Sequence, residues 1–318
     1  MLEASDAGRV LAPLSGFQTV GIALSGGADS TGLLWLAAHC GFATRFSALI
    51  VDHGLRPESE AEALQAARVA QELGIAAHIL KWTEDKPTTG IQAAARQARY
   101  RLMAQAAGRL GIEALATGHN LDDVAETFLM RLARGSGLDG LASIPAQTVI
   151  EGLPVFRPLL DVPHADLVAL LGREGIGWIE DPSNQSAHFE RARLRAVLGE
   201  ALAALGLSAG KIGLSARRLG RARAALEIEA ARFLAQISVR EDDGWRFSLE
   251  GYRAGMAEIR IRALWLVLAQ GELAQIERLD DWILAGDRPA TTLGGFEIRR
   301  GTDFLQIRPE NARGIPVL

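Results

Sequence analysis

The sequence predicts an α/β protein: a parallel β-sheet with helices on both faces, followed by a smaller, mainly helical C-terminal domain. Three observations predict it. Short apolar runs alternate with helical patterns through the first half of the chain. The unusual polar clusters fall where such apolar runs end. The second half carries amphipathic helical stretches. A length of 318 residues suits two domains, placed at residues 1–205 and 206–318.

Taken in order, Thr19–Ser25 is an apolar run that suits a strand buried on both faces. Thr31–Cys40 reads as a buried helix stopped by Gly41. Phe46–Gly54 reads as the second strand. Ser59 followed by Glu62 has the pattern of a capping box, so Ser59–Gly74 reads as a helix closed by glycine. Ile75–Trp82 is a third strand, Ile91–Leu110 a long helix after the breakers Pro87 and Gly90, Ile112–Asn120 a fourth strand and Leu121–Gly135 a helix. Gly137–Asn184 is looser and rich in proline. Beyond the Gly206–Gly210 break, helices are expected around Ala216–Gln236, Met256–Gln270 and Ile276–Ala285, and the glycine-containing segment 291–309 reads as a β-hairpin.

Composition narrows the class. Hydrophobic residues make up 48% and charged residues 23%, an ordinary globular balance. No apolar run is long enough to span a membrane, so no membrane partner is expected. A single cysteine, Cys40, and an N-terminus without a basic-then-apolar leader fit a reducing, cytoplasmic setting. Cys40 ends an apolar helical run and reads as a packed core residue; alone, it has no partner for a disulfide. The net charge is −4, yet Phe189–Arg232 holds nine basic residues against four acidic ones, which suits either a solvated face or contact with phosphate.

Parallel sheets of this kind bind ligands at the carboxyl ends of their strands. Three loops there hold the chemistry. Ser25-Gly26-Gly27-Ala28-Asp29-Ser30 joins a strand to a helix; its glycines let the backbone approach an oxyanion, and free N–H groups at a helix N-terminus hold phosphate. The lysine of a Walker A loop is missing, which disfavours a kinase-like grip. Asp52 and His53 end strand two. Gly118 and His119 end strand four, where Asn120 is the expected N-cap and Asp122 and Asp123 open the helix, complementing its dipole or facing the site.

Ser25–Ser30 resembles the signature loop of the PP-loop ATP-pyrophosphatase superfamily, whose fold is of the adenine nucleotide alpha hydrolase type. Val51–Ser59, Ala94–Tyr100, Thr117–Thr127, Leu129–Leu141, Arg157–Leu160 and Trp178–Asn184 together resemble, in order and spacing, the short form of the tRNA(Ile)-lysidine synthase family. The chain departs from that pattern at Ala192, where the family carries asparagine. The resemblance implies an AMP-forming ligase with ATP and Mg²⁺ as cofactors. It would adenylylate the wobble cytidine of the tRNA(Ile) with a CAU anticodon. Free L-lysine would then displace AMP, forming lysidine and switching decoding to AUA.

Carried onto this chain, the resemblance assigns nucleotide binding to Ser25, Gly26, Gly27, Ala28, Asp29, Ser30, Asp52, His53, Arg96 and Gly118. It assigns catalytic roles to Asp123, Asp29 and Arg191. Mg²⁺ would arrive with ATP, with Asp29 as its candidate ligand and no separate metal site. Asp123 is preferred over Asp122 for orienting the lysine ammonium or holding Mg²⁺. Of Arg96, Arg99 and Arg101, which cannot share one helix face, Arg96 is expected to reach the phosphates and the others to be solvated. Arg191 and Arg195, four apart, can share a face toward tRNA phosphate or AMP. Lone Cys40 disfavours sulfur transfer, since one cysteine cannot ligate an iron–sulfur cluster. Two other readings compete: a PP-loop ligase acting on a small molecule, and an ATP sensor without chemistry. Nothing in the sequence specifies an oligomeric state.

Overall fold

The computed structural model describes residues 2–180, 204–241, 243–268, 272–286 and 288–310. The chain divides into two compact units, Met1–Gly220 and Arg221–Leu318.

The first unit is built on β1 (Val20–Ala23), β2 (Phe46–Asp52), β3 (Ala76–Lys81), β4 (Ala114–Thr117), β5 (Gln147–Ile150) and β6 (Leu153–Phe156), in sheet order β3-β2-β1-β4-β6-β5. All neighbours are parallel except β5, which returns antiparallel to β6 through a turn at Glu151 (φ 52°) and Gly152 (φ 74°). β1 is central: Val20 faces Phe46 on one side and Ala114 on the other. The chain therefore runs outward from β1 through β2 and β3, then jumps back to β4 on the opposite side. The reversal makes the carboxyl ends of β1 and β4 a topological switch point, the place where open α/β sheets hold ligands.

Strand alternation separates two cores. Phe46, Ala48 and Ile50 point to one face with Val20 and Ile22, beneath α1 (Ala7–Val10), α2 (Ala28–His39), α3 (Ser59–Glu72) and α7 (His164–Arg173). Leu49 points to the other with Leu80, Leu115 and Val155, beneath Tyr100, Met103 and Ala106 of α4 (Ile91–Leu110). Between them in sequence lie α5 (Leu121–Ala133) and α6 (Leu138–Leu141). The helix α2 is buried along most of its length, as its apolar run requires. Every predicted strand and helix of this half is present; the spans are trimmed by zero to three residues at their ends, except that α2 begins three residues earlier than read, at Ala28.

One local expectation fails. Ser59 and Glu62 form no capping box: the cap position is Glu58, without a side-chain bond. The Ser59 hydroxyl instead donates to Asp52 Oδ1 and accepts from Gly54 N, and Glu62 pairs with Arg56 at 3.0 Å. The loop after β2 outcompetes the helix for the serine.

After α8 (Ala209–Ile237), within which the division of the chain falls, the second unit contains β7 (Ser238–Glu241), β8 (Gly244–Ser248), α9 (Leu249–Ala254), α10 (Ala257–Leu268), α11 (Leu273–Ala285), β9 (Ala290–Leu293), β10 (Phe296–Arg300) and β11 (Phe304–Pro309). Its strands form an antiparallel sheet of order β7-β8-β11-β10-β9. The segment read as a hairpin thus supplies three strands, and β7 and β8 extend them. Gly294 and Gly295, both at positive φ (59° and 78°), make the tight turn between β9 and β10. Phe247, Ile298, Leu305 and Ile307 pack on Tyr252, Leu264, Ile276 and Ile283.

This second core encloses a polar knot. Arg260 grips Asp280 bidentately, Nε to Oδ1 and Nη2 to Oδ2, both at 2.9 Å, and the Tyr252 hydroxyl donates to Oδ1 at 2.5 Å. Burial first, and the Asp280 carboxylate second, push the Tyr252 phenol far above its ordinary range, so it stays a donor. Asp280 is 4% exposed. Removing one partner of a buried pair leaves the other charge stranded, so Asp280→Ala is expected to destabilise the unit by about 3–5 kcal/mol. Chemical denaturation of both proteins checks this; a loss below about 1 kcal/mol would mean that water compensates Arg260.

Candidate functional site

At the end of β1 the chain still bonds to the sheet (Leu24 N to Leu49 O, 3.0 Å), then turns through Gly26 and enters α2 at Ala28. Gly26 has φ +85°, and a Cβ there would lie 2.5 Å from Ile179 Cδ1, so no other residue fits. Within the loop the carbonyls of Gly26 and Gly27 are spent inward. Gly26 O takes Ile179 N (2.8 Å) and Thr31 Oγ1 (3.2 Å). Gly27 O takes Thr31 N and the Ser30 hydroxyl, both at 3.0 Å. Ser30 Oγ in turn accepts from Ser25 N (3.2 Å) and lies 3.0 Å from Ser25 Oγ. Ser30 is buried and holds the loop's shape, whereas Ser25 is exposed. The donors are treated oppositely: among the described residues, the N–H groups of Gly26, Gly27, Ala28, Asp29 and Ser30 find no acceptor. Unpartnered amides at the positive end of a helix form an anion site.

The β4–α5 loop meets this one directly. A Cβ on Gly118 would lie 2.9 Å from Ser30 N, 3.0 Å from Asp29 C and 3.0 Å from Ser30 Cα, all backbone atoms. Thr117 Oγ1 and His119 Nδ1 are 2.8 Å apart. Asn120 is the N-cap of α5, accepting from Asp122 N (2.9 Å) and Asp123 N (3.0 Å). Asp123 Oδ2 reciprocates to Asn120 N at 3.0 Å, which orients its carboxylate. Asp122 Oδ2 receives His164 N at 2.7 Å. The His164 ring then reaches back to the first loop, Nδ1 to Asp29 Oδ1, at 2.7 Å. Three helix N-termini, those of α2, α5 and α7, are thereby tied together.

A cationic cluster forms at the next strand end. Asp52 is buried and its Oδ1 closes its own loop through Gly54 N (2.9 Å) and Ser59 Oγ. His53 faces Trp82, and Arg99 Nη2 lies 3.3 Å from its Nε2. Burial, then the Arg99 charge, pushes His53 down to about 4, so it is neutral at physiological pH. Burial also lowers Arg99 and Arg157 from their ordinary value. Arg157 Nη1 donates to Pro145 O at 2.7 Å, and neither guanidinium has a carboxylate partner among the described residues. A part-buried Arg99 and a buried Arg157, without a carboxylate partner among the described residues, suit an anionic ligand.

The structure thus joins Ser25–Ser30, Gly118, Asp29 and, through His164, the α5 acids, and places Asp52 and His53 on the adjacent strand. It reassigns the arginines. Arg96 is exposed, with its Cζ 5.2 Å from the Tyr100 ring centroid, and Arg101 pairs with Glu84. Arg99, expected to be solvated, is the one turned inward. Arg191 lies outside the described residues, as do Arg193 and Arg195. Sequence reasoning missed His164, Ile179 and Glu126. Glu126, 6% exposed, sits three residues beyond Asp123 on the same side of α5, and a glutamate inside an apolar helix face was its signal. His164 had only a weak one, a polar residue following Pro163 at a helix start. Among the described residues no group of three or more His, Cys, Asp or Glu could hold a metal alone. Mg²⁺ brought by a phosphate ligand needs only one or two protein carboxylates, which Asp29 fits. No helix of the described residues is long and apolar enough to cross a membrane.

Comparison with known proteins gives a consistent result. A family model described as PP-loop domain matches residues 3–202. The chain is 40% identical to the tRNA(Ile)-lysidine synthase of Rhodopseudomonas palustris, covering 98% of this chain and 96% of that one. It is 42% identical to the tRNA(Ile)-lysidine synthase of a Bradyrhizobium species, over 98% and 96%. That of Rhizobium meliloti is longer: 35% identity covers 93% of this chain and 68% of the relative. Among solved structures, the U34-tRNA thiolase NcsA from Methanococcus maripaludis superposes with a TM-score of 0.56 at 19% identity, covering 68% of this chain and 79% of that one, which is a likeness of fold.

Two outcomes are expected. Gly118→Ala must push the backbone at Asp29 and Ser30, and inorganic pyrophosphate binding measured by calorimetry should weaken at least about tenfold if one or two amide–anion bonds are lost; unchanged binding would show that the loop yields freely. In an NMR titration, the His53 ring should stay neutral down to about pH 5 and protonate near the lowered value of about 4. Because that value is depressed below the unfolded one, His53 favours the folded state fully above the ordinary pKa of 6.5, and the advantage fades as pH falls from there toward 4. Protonation at the ordinary histidine value would contradict the buried setting.

Proposed function

The chain belongs to the PP-loop family of tRNA(Ile)-lysidine synthases, an ATP-dependent ligase family, and from that premise we propose that it joins lysine to C2 of the wobble cytidine of the tRNA(Ile) with a CAU anticodon. The observation that carries this reading is the Ser25–Ser30 loop, with the Gly26 and Gly27 carbonyls spent inward and, among the described residues, the amides of residues 26–30 without acceptors at the switch point. Those amides would hold the β and γ phosphates of ATP while the cytidine O2 attacks the α phosphorus and pyrophosphate departs. Mg²⁺ would screen the phosphate charge, held by Asp29. The lysine ε-amine then attacks C2, the C2–O bond breaks and AMP leaves.

An ammonium is no nucleophile, so lysine must surrender a proton first. Asp123, oriented by its capping bond to Asn120, is the carboxylate we assign to that amine, with Glu126 buried one turn on. Part-buried Arg99 and buried Arg157, without a carboxylate partner among the described residues, suit the phosphates. Arg191 remains the proposed contact to AMP or tRNA phosphate. Chemistry is assigned to residues 1–205 and contact with the tRNA backbone to the basic stretch and residues 206–318, where Lys and Arg position rather than specify. The unstacked anticodon loop lets a single base be presented. A cytoplasmic location suits these substrates.

Protein incubated with ATP, Mg²⁺, lysine and the CAU tRNA should yield AMP, pyrophosphate and a cytidine heavier by one lysyl group. Pyrophosphate release independent of RNA would point to a small-molecule ligase, and tight ATP binding with no release to a sensor; either overturns the proposal. Asp123→Asn should retain adenylylation but slow lysine transfer by about 10²-fold or more. If both half-reactions drop equally, Asp123 serves the helix alone.

A further inference from the structure

We propose that His164 is a positioning residue for the nucleotide loop, holding the Asp29 carboxylate away from the loop's own amides. The inference rests on reading Ser25–Ser30 as the phosphate-binding loop.

The argument starts from the start of α7. Its cap position is Pro163, which offers no side-chain acceptor, so the first amide of the helix is satisfied from outside: His164 N donates to Asp122 Oδ2 at 2.7 Å. Two residues before His164, Val162 O accepts from Leu121 N at 3.0 Å. Leu167, one turn on, fills the space over Gly32 of α2, where a Cβ would come within 2.8 Å of its Cδ2. The backbone of His164 is therefore fixed against both α5 and α2, and its ring is delivered to Asp29 at 2.7 Å. An ionised carboxylate only accepts, so Nδ1 carries the proton in that bond.

The bond matters because of where Asp29 sits. It is the second residue of α2, beside amides that have no acceptor among the described residues. Short acidic side chains in a first helical turn readily turn back onto such amides. A released Asp29 would place its own carboxylate in the anion site, competing with phosphate and repelling it. The imidazole gives Asp29 another partner, leaving the amides open. Asp122 is thereby engaged in anchoring the histidine.

Pyrophosphate binding by the full chain, measured by calorimetry with Mg²⁺, tests this beside ATP kinetics and melting temperature for His164→Ala and His164→Asn. The asparagine amide can stand near the position of Nδ1. The alanine variant should bind pyrophosphate about tenfold more weakly and raise the KM for ATP, as loss of a charge-assisted hydrogen bond implies, with kcat and melting temperature little changed. The asparagine variant should recover most of the affinity. Adding Asp29→Ala to His164→Ala should cause no further loss beyond that of Asp29→Ala alone. Wild-type binding in His164→Ala, or equal weakness in both single variants, overturns the inference while leaving the proposed function standing. A wild-type protein that binds no pyrophosphate overturns both.

Discussion

The site depends on an imbalance between donors and acceptors in six residues. Backbone groups removed from water must find partners, and in Ser25–Ser30 the carbonyls of Gly26 and Gly27 find them in Thr31, Ser30 and Ile179. The amides do not, among the described residues. Free amides at a helix N-terminus are the local arrangement to which an anion can hydrogen-bond. The Gly26 φ of +85° is the local conformation that turns the chain from β1 toward α2 and leaves those amides without acceptors.

Holding that loop in shape requires distant parts of the chain. Gly118 must lack a side chain for β4 to pass within contact of Ser30, and Ile179 closes over Gly26 from beyond α7. His164 links Asp29 to Asp122, so the starts of three helices share one network. Aligned helix N-termini concentrate positive potential at one place. Arg99 on α4, partly buried, and Arg157 just beyond β6, buried, are further cations of this unit. The overall charge of −4 therefore says little about this site; the local field is set by geometry.

The second unit is organised differently. Its sheet is antiparallel and its core contains the Arg260–Asp280–Tyr252 knot rather than an open cluster. Every proton and lone pair in the knot that matters is paired, which fits a role in defining the packing of α10 against α11. The same residue type is thus placed in two settings: Arg260 is paired with a carboxylate, while Arg99, among the described residues, faces a histidine nitrogen.

Periodicity alone determined the strands and helices of the first half, because burial on both faces of a parallel sheet imposes apolar runs that glycines and caps then punctuate. The Asn120 cap was legible for the same reason: its partners are two and three residues away. The loop motif was legible because strand, glycines and helix are consecutive. Ser59 was misread since its competing partner, Asp52, is a loop away, and the antiparallel return of β5 was not anticipated. Which arginine turns inward, that Asp122 bonds to His164 N while Asp123 caps α5, and that His164 reaches Asp29 were decided only by tertiary structure. Those outcomes depend on contacts between residues tens to more than a hundred positions apart, such as Asp29 with His164, and no local pattern encodes which of several chemically equal side chains the packing will bury.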